Sequence, residues 1–217
     1  MIIATEIGDK TFFIAAILAM KYSRLVVFGG AISALAVMTV LSAALGFALP
    51  TVLPRRYTHY ASVLLFMYFG ARMLKEGYES EGGVSEELAE VEEEIIKKKE
   101  GDIEVAGGGG NGRSSPGDDK KDMLAIFTQG FTLTFVAEWG DRSQIATIAL
   151  AAAKDVFGVV LGGVLGHALC TGMAVLGGRM LAARISEKTV HLFGGTLFLL
   201  FAVHSLVVGV DDEGFSA

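Results

Sequence analysis

Glu6-Ile7-Gly8-Asp9-Lys10-Thr11 returns in the second half of the chain as Glu138-Trp139-Gly140-Asp141-Arg142-Ser143. Both copies lie inside strongly apolar sequence. A carboxylate inside a bilayer segment is a functional candidate by default, because charge is costly there and nothing structural requires it. The surrounding chain therefore has to be read as membrane or as soluble core before the acids can be interpreted.

The whole chain has 217 residues, 52% of them hydrophobic and 19% charged, with a net charge of −6. Its mean hydropathy is +0.53. The charge is clustered: residues 77–119 hold 13 acids and 4 bases, which leaves a net positive remainder made of long apolar runs. Each run approaches the ~20 residues a helix needs to cross a bilayer. Spanning segments must be helices or closed barrels, and the strict alternation of a barrel is missing. Six spans are expected, at 1–20, 25–49, 58–74, 123–153, 156–180 and 189–210. The fourth is too long for one straight helix, and Gly140 predicts a break or kink in it. The lone Cys170 permits no intrachain disulfide and reads as a small packing residue. No basic patch interleaved with aromatics points to nucleic acid, and no signal peptide of the usual layout precedes the first span.

The halves repeat beyond the motif. Leu18-Ala19-Met20-Lys21 resembles Ala151-Ala152-Ala153-Lys154, and Val26-Val27-Phe28-Gly29-Gly30 matches Val159-Val160-Leu161-Gly162-Gly163. His59 to Leu74 aligns more weakly with His191 to Leu206. Three spans per half force the second half to cross in the opposite sense, and inverted repeats place substrate sites at the midplane. The fold class is thus an all-α polytopic membrane protein, six transmembrane helices forming two inverted three-helix repeats. The expected organisation is a first repeat at 1–76, an acidic, Gly-rich cytosolic linker at 77–122, a second repeat at 123–210 and a short acidic tail at 211–217. Only five residues precede Glu6, against about fifteen span residues before Glu138, so the first helix is expected to be short at its N-terminal end. In the linker, Ser85-Glu86-Glu87, the spacing of Leu88, Val91 and Ile95, and Lys97 to Lys99 predict a short capped helix. The glycine-rich stretch after it reads as flexible, and the plainest role for the whole segment is a solvated tether. Lys and Arg near span ends, led by Lys21, Arg24, Arg72, Lys75, Lys120 and Lys121, put the linker side in the cytosol.

On a helix, Glu6 and Asp9 would share a face, as would Glu138 and Asp141. Gly8 and Gly140 would let backbone or an ion approach closely. Thr11 and Ser143 add hydroxyl oxygens, and Gln144 adds a neutral one. Such hard oxygen donors suit calcium, manganese or magnesium rather than copper or zinc. Four carboxylates gathered in low dielectric cannot all stay ionised without countercharge. A divalent ion with Lys10 and Arg142 balances them, and protons must replace the ion when it leaves. The plainer reading has each acid paired with its neighbouring base as structural glue. Thr39 and Ser42 read first as helix-to-helix bonds, His167 as a packed core histidine rather than a proton relay, and His59, His191 and His204 as span-end residues. Gly158, Gly162 and Gly166 form a small-xxx-small ridge for close packing, and Trp139 is placed to shield the motif.

The doubled Glu-x-Gly-Asp-(Lys/Arg)-(Thr/Ser), in a six-span pattern with an acidic central loop, resembles the GDT-type (Gcr-dependent translation factor) family of the cation/calcium exchanger class. The residues that carry the resemblance are Glu6 to Phe13 and Glu138 to Gln144. It implies exchange of manganese and calcium for protons, with Glu6, Asp9, Glu138 and Asp141 as ligands. The segment Ser85-Glu86-Glu87-Leu88-Ala89-Glu90-Val91-Glu92 looks more like the Golgi-type branch than the chloroplast one. The expected protein is a non-enzymatic antiporter of the Golgi or a related endomembrane. Its partners are divalent cations, protons and lipid; no cofactor is expected, and a homo-oligomer is compatible with the sequence. The rivals are a cation channel, a non-transporting scaffold and an intramembrane carboxylate hydrolase.

Overall fold

The computed structural model describes residues 1–80, Val91, Glu93, Ile95, 118–182 and 186–208, and all regular structure among them is α-helical. The helices are α1 (Ile2–Glu6), α2 (Lys10–Lys21), α3 (Arg24–Val52), α4 (Arg55–Glu79), α5 (Asp118–Ala137), α6 (Arg142–Ala153), α7 (Val156–Ala182) and α8 (Glu187–Val208). Val91, Glu93 and Ile95 are helical as well. The boundaries follow local chemistry. α3 stops before Leu53, which is extended (φ −118°, ψ 136°) as a residue ahead of proline prefers, and Pro54 stands at the start of α4. α2 and α6 are each 12 residues long and leave through the same extended geometry, at Tyr22 (φ −131°, ψ 174°) and Lys154 (φ −133°, ψ 177°).

Three stretches among the described residues are long and apolar enough to cross a membrane: Arg24–Val52, Val156–Gly177 and Lys188–Val207. The other three expected spans miss this mark for identifiable reasons. The first and fourth are cut at the acidic motifs into α1–α2 and α5–α6; α1, α2 and α6 are too short, and the apolar part of α5 is only Asp122–Ala137. α4 has 25 residues, but Arg72, Lys75, Glu76 and Glu79 dilute its hydropathy.

α2 is buried on every side, from Thr11 through Ala19. A helix apolar all round belongs in the interior of a bundle. Phe12, Phe13, Ile17 and Leu18 pack with Leu133 of α5 and with Ala174 and Val175 of α7. A second cluster joins Phe66, Phe69 and Met73 of α4 to Ala146 of α6 and Phe198 of α8. Close backbone approach makes the second contact possible: a Cβ on Gly195 would meet the Gly70 carbonyl oxygen at 2.9 Å. The Ser62 hydroxyl reaches across to the Ala149 carbonyl at 3.0 Å and ties α4 to α6. Facing outward, Leu45, Phe47, Leu64, Phe157, Leu161, Leu176, Phe193 and Val207 are all more than half exposed. So much apolar surface is a liability in water and suits a lipid surround.

Two expectations change here. The glycine ridge of α7 is not a continuous helix-packing surface. A Cβ on Gly166 would meet Ile2 of α1 at 3.0 Å, but one on Gly162 would have nothing within 4 Å. The linker is not simply a tether either, because Val91 and Ile95 are fully buried in the cluster around α2. Their four-residue spacing puts both on one helical stripe, and an apolar stripe gains by leaving water. The expected cap at Ser85, Leu88, the glycine-rich stretch and the 211–217 tail lie outside the described residues.

Candidate functional site

The doubled motif builds the same backbone turn twice. In the first copy α1 ends at Glu6, Ile7 takes φ −68° and ψ 114°, and Gly8 takes φ 83°. These are the angles of a type II turn, whose third residue needs positive φ and therefore favours glycine. The Asp9 N–H closes the turn on the Glu6 carbonyl at 3.3 Å. In the second copy the Asp141 N–H closes on the Glu138 carbonyl at 3.1 Å, and Gly140 has φ 83° again. Asp9 and Asp141 are then the N-caps of α2 and α6. The Asp141 carboxylate accepts the Ser143 N–H at 3.0 Å, satisfying one of the unpaired donors of a helix start.

The break expected at Gly140 is present and has a counterpart at Gly8, but the acids of each pair do not share one helix face as expected. Positive φ at glycine ends the right-handed helix, so each glutamate belongs to one half-helix and each aspartate to the next. Gly140 serves the turn rather than a close approach: a Cβ placed on it would have nothing within 4 Å.

The two turns meet. Ligand oxygens of Glu6, Glu138 and Asp141 all lie within 4.8 Å of one another. Glu6 and Glu138 are each only 2% exposed. Asp9 is half-buried and stands outside this triad, yet all four carboxylates are close enough to repel one another electrostatically. The hydroxyls cross between motifs: Thr11 interacts with Glu138, and Ser143 with Glu6. Ser143 Oγ also donates to Glu138 Oε2 at 3.2 Å. Glu6 Oε1 and Glu138 Oε1 are buried without any hydrogen-bond partner. Orphaned carboxylate oxygens in a dry interior are expensive unless a cation or proton can reach them.

The remaining site residues divide. Lys10 is half-buried at the start of α2. Arg142 does not serve the acids alone: its Nη1 pairs with Glu76 Oε2 at 3.1 Å, and Arg72 Nε holds the other oxygen of Glu76 at 2.8 Å. The Gln144 carbonyl oxygen, expected to face an ion, accepts the Gly140 N–H at 2.7 Å and braces the turn. Trp139 does not shield the site; it is 67% exposed and packs on Phe135 with ring centroids 5.6 Å apart. Cys170 is buried, its thiol 4.0 Å from the Ile3 carbonyl, as a packing residue should be.

Beside Glu138 lies a cavity of about 10 Å³, room for about one small occupant. Thr39 and Ser42 of α3 line it, together with Met38, Thr147 and His167. The helix-to-helix bonds expected of Thr39 and Ser42 are not made: the Thr39 hydroxyl bonds its own helix at Leu35, and Ser42 Oγ has no partner. Met38 and Thr147 carry no sequence signal of their own, although Thr147 stands one turn after Ser143 and Met38 one turn before Ser42.

The ion pair on Arg142 sets up a test. In Glu76→Gln, Arg142 loses its outside partner and its charge falls on the carboxylates. The apparent KM for the transported cation should rise several-fold, while stability changes by no more than about 1 kcal/mol because the pair is partly solvated. Uptake kinetics and thermal melts of the purified protein check both.

Residues 1–81 and 126–213 match the family described as divalent cation/proton antiporter GDT1. The chain belongs to the GDT1 family. GDT1-like protein 5 of Arabidopsis thaliana is 47% identical over 219 residues, covering 97% of this chain and 94% of that protein. GDT1-like protein 5 of Oryza sativa subsp. japonica is 48% identical over 222 residues, covering 98% and 94%. GDT1-like protein 3 of Arabidopsis thaliana is 46% identical over 205 residues, covering 94% of this chain and 67% of that longer protein. No solved structure matches. GDT1 membership makes this an integral membrane cation/proton antiporter rather than an enzyme, and the hydrolase reading falls. For a GDT1 chain, two half-helix breaks that bring carboxylates together inside the bundle are the feature to explain.

Proposed function

We propose that this chain exchanges Mn²⁺ and/or Ca²⁺ for protons across an intracellular membrane, in the Golgi or a related endomembrane, moving the metal out of the cytosol. Glu6, Glu138 and Asp141 hold the ion, Asp9 joins them from the edge, and Thr11 and Ser143 complete the oxygen shell. Lys10 and Arg142 tune the field, and Gln144 holds the second turn in shape. The observation that carries this reading is the meeting of both motifs within 4.8 Å, around buried oxygens that have no other partner. An ion and protons then compete for the same atoms, which is what couples their movement.

The architecture that goes with it is six spans in two inverted three-helix repeats, residues 1–76 and 123–210, joined by the cytosolic linker. Its support is the duplicated turn at the head of two equal 12-residue helices. At 1.5 Å per residue each helix runs about 18 Å from its motif, roughly half the thickness of a bilayer. Both motifs therefore sit near the midplane if α2 and α6 exit on opposite faces. Interrupted helices at that depth expose free carbonyls at one half-helix end, and such ends coordinate cations in transporters. One three-helix half rocking against the other would open the site to each side in turn.

The test is metal flux into vesicles holding the purified chain, with and without an imposed pH gradient, for Mn²⁺ and for Ca²⁺. Uptake should follow the gradient, and metal entry should move protons the other way. The apparent KM should rise as the pH on the binding side falls, because ligand oxygens must be deprotonated to bind metal. Metal flux indifferent to the gradient would mean a channel, and no flux would mean a scaffold.

A further inference from the structure

His167 of α7 is 4% exposed, and its Nδ1 has no hydrogen-bond partner. That nitrogen lies 3.7 Å from Glu6 Oε2. The separation is too long for a hydrogen bond, yet a buried nitrogen left unbonded beside a buried carboxylate is costly. Donor atoms on a single divalent ion sit about 2.0–2.6 Å from it, so two of them lie no more than about 5 Å apart. A separation of 3.7 Å fits two neighbouring donors on one ion, and His167 lines the same cavity as Glu138 and Ser143. Its nitrogens stand outside the close set of Glu6, Glu138 and Asp141 oxygens, so ligation asks the imidazole to move toward the ion.

We infer that His167 Nδ1 is a nitrogen ligand of the transported ion and makes the site discriminate in favour of Mn²⁺ over Ca²⁺. The inference rests on the antiport reading above. Calcium takes six to eight oxygen ligands and gains little from imidazole. A first-row transition ion accepts nitrogen among its oxygens. Four carboxylates alone offer an all-oxygen site that suits both ions; one imidazole beside Glu6 adds a donor that manganese uses better than calcium. Among the described residues His167 is the only histidine that lines this cavity, since His59, His191 and His204 lie on α4 and α8.

Two measurements test this on the full chain. In vesicles with an imposed pH gradient, the ratio of Mn²⁺ to Ca²⁺ uptake efficiency is compared between the parent and His167→Asn, whose amide oxygen can stand near the place of Nδ1. The ratio should drop about tenfold or more, the scale on which lost metal-site contacts act. A ratio unchanged within twofold overturns the inference while leaving antiport standing. A parent chain that carries neither ion overturns antiport and the inference together. The second measurement needs no variant to fold: pulsed electron paramagnetic resonance of Mn²⁺ bound to the detergent-solubilised parent should show modulation from a coordinated ¹⁴N nucleus. Bound Mn²⁺ without that modulation overturns the assignment.

Discussion

Glu138→Gln and Glu6→Gln should each reduce gradient-driven metal uptake by at least about 100-fold while the protein still accumulates in the membrane. Each glutamate is buried, carries an oxygen with no partner, and faces a carboxylate from the other motif. Gln keeps the volume and removes the charge, so the packing around α2 and α5 has no reason to change. Changes even outside a metal's ligand shell cost about 10–100-fold in metal affinity or activity, so loss of a direct ligand should cost at least the upper end of that range. Asp141→Asn should fall almost as far. Asp9→Asn should fall least, because Asp9 stands outside the close triad. Uptake measured per molecule of folded protein gives the ranking. Equal losses at all four positions would mean that net negative charge, rather than the geometry of three converging oxygens, sets activity.

Much of this is legible in the sequence, and the failures share one cause. The repeated Glu-x-Gly-Asp marks a paired site, and the run from Phe12 to Leu18 marks a fully buried helix. Periodicity alone cannot show that Gly8 and Gly140 adopt positive φ, since an i, i+3 acid pair fits a helix as well as it fits the two ends of a type II turn. The largely apolar composition from residue 1 to 20 likewise hides the break between α1 and α2. Side-chain partners across the bundle are beyond reach because they are not local. Arg142 finding Glu76, and His167 finding Glu6, are contacts between helices far apart in sequence. Nothing next to either residue encodes them. The burial of Val91 and Ile95 is half visible: their spacing predicts an apolar stripe, while the 13 acids of that region argue for solvent. The stripe prevails because only one face of a helix needs to be buried, and charges on the other face do not oppose it.

Gly140 offers the second large effect, and its logic is conformational. With φ at 83° and no atom within 4 Å of a Cβ, a small side chain has room and is penalised chiefly by backbone strain. Left-handed geometry costs an ordinary L-residue about 1–2 kcal/mol, less for Asn and more for β-branched residues. The same turn fixes the offset between Glu138 and Asp141, so strain relieved by backbone rotation pulls the two oxygens apart. Exchange activity should therefore fall in the order Gly, Asn, Ala, Val at position 140, with Gly140→Val close to inactive. Steric exclusion would give a different order, Gly, Ala, then Asn and Val together, because it follows side-chain size. Rates for Gly140→Asn and Gly140→Ala, measured side by side in vesicles, separate the two: Ala outperforming Asn would refute a requirement for positive φ. Gly8 holds the same φ in the first copy but is buried, so side-chain size should add to backbone strain there.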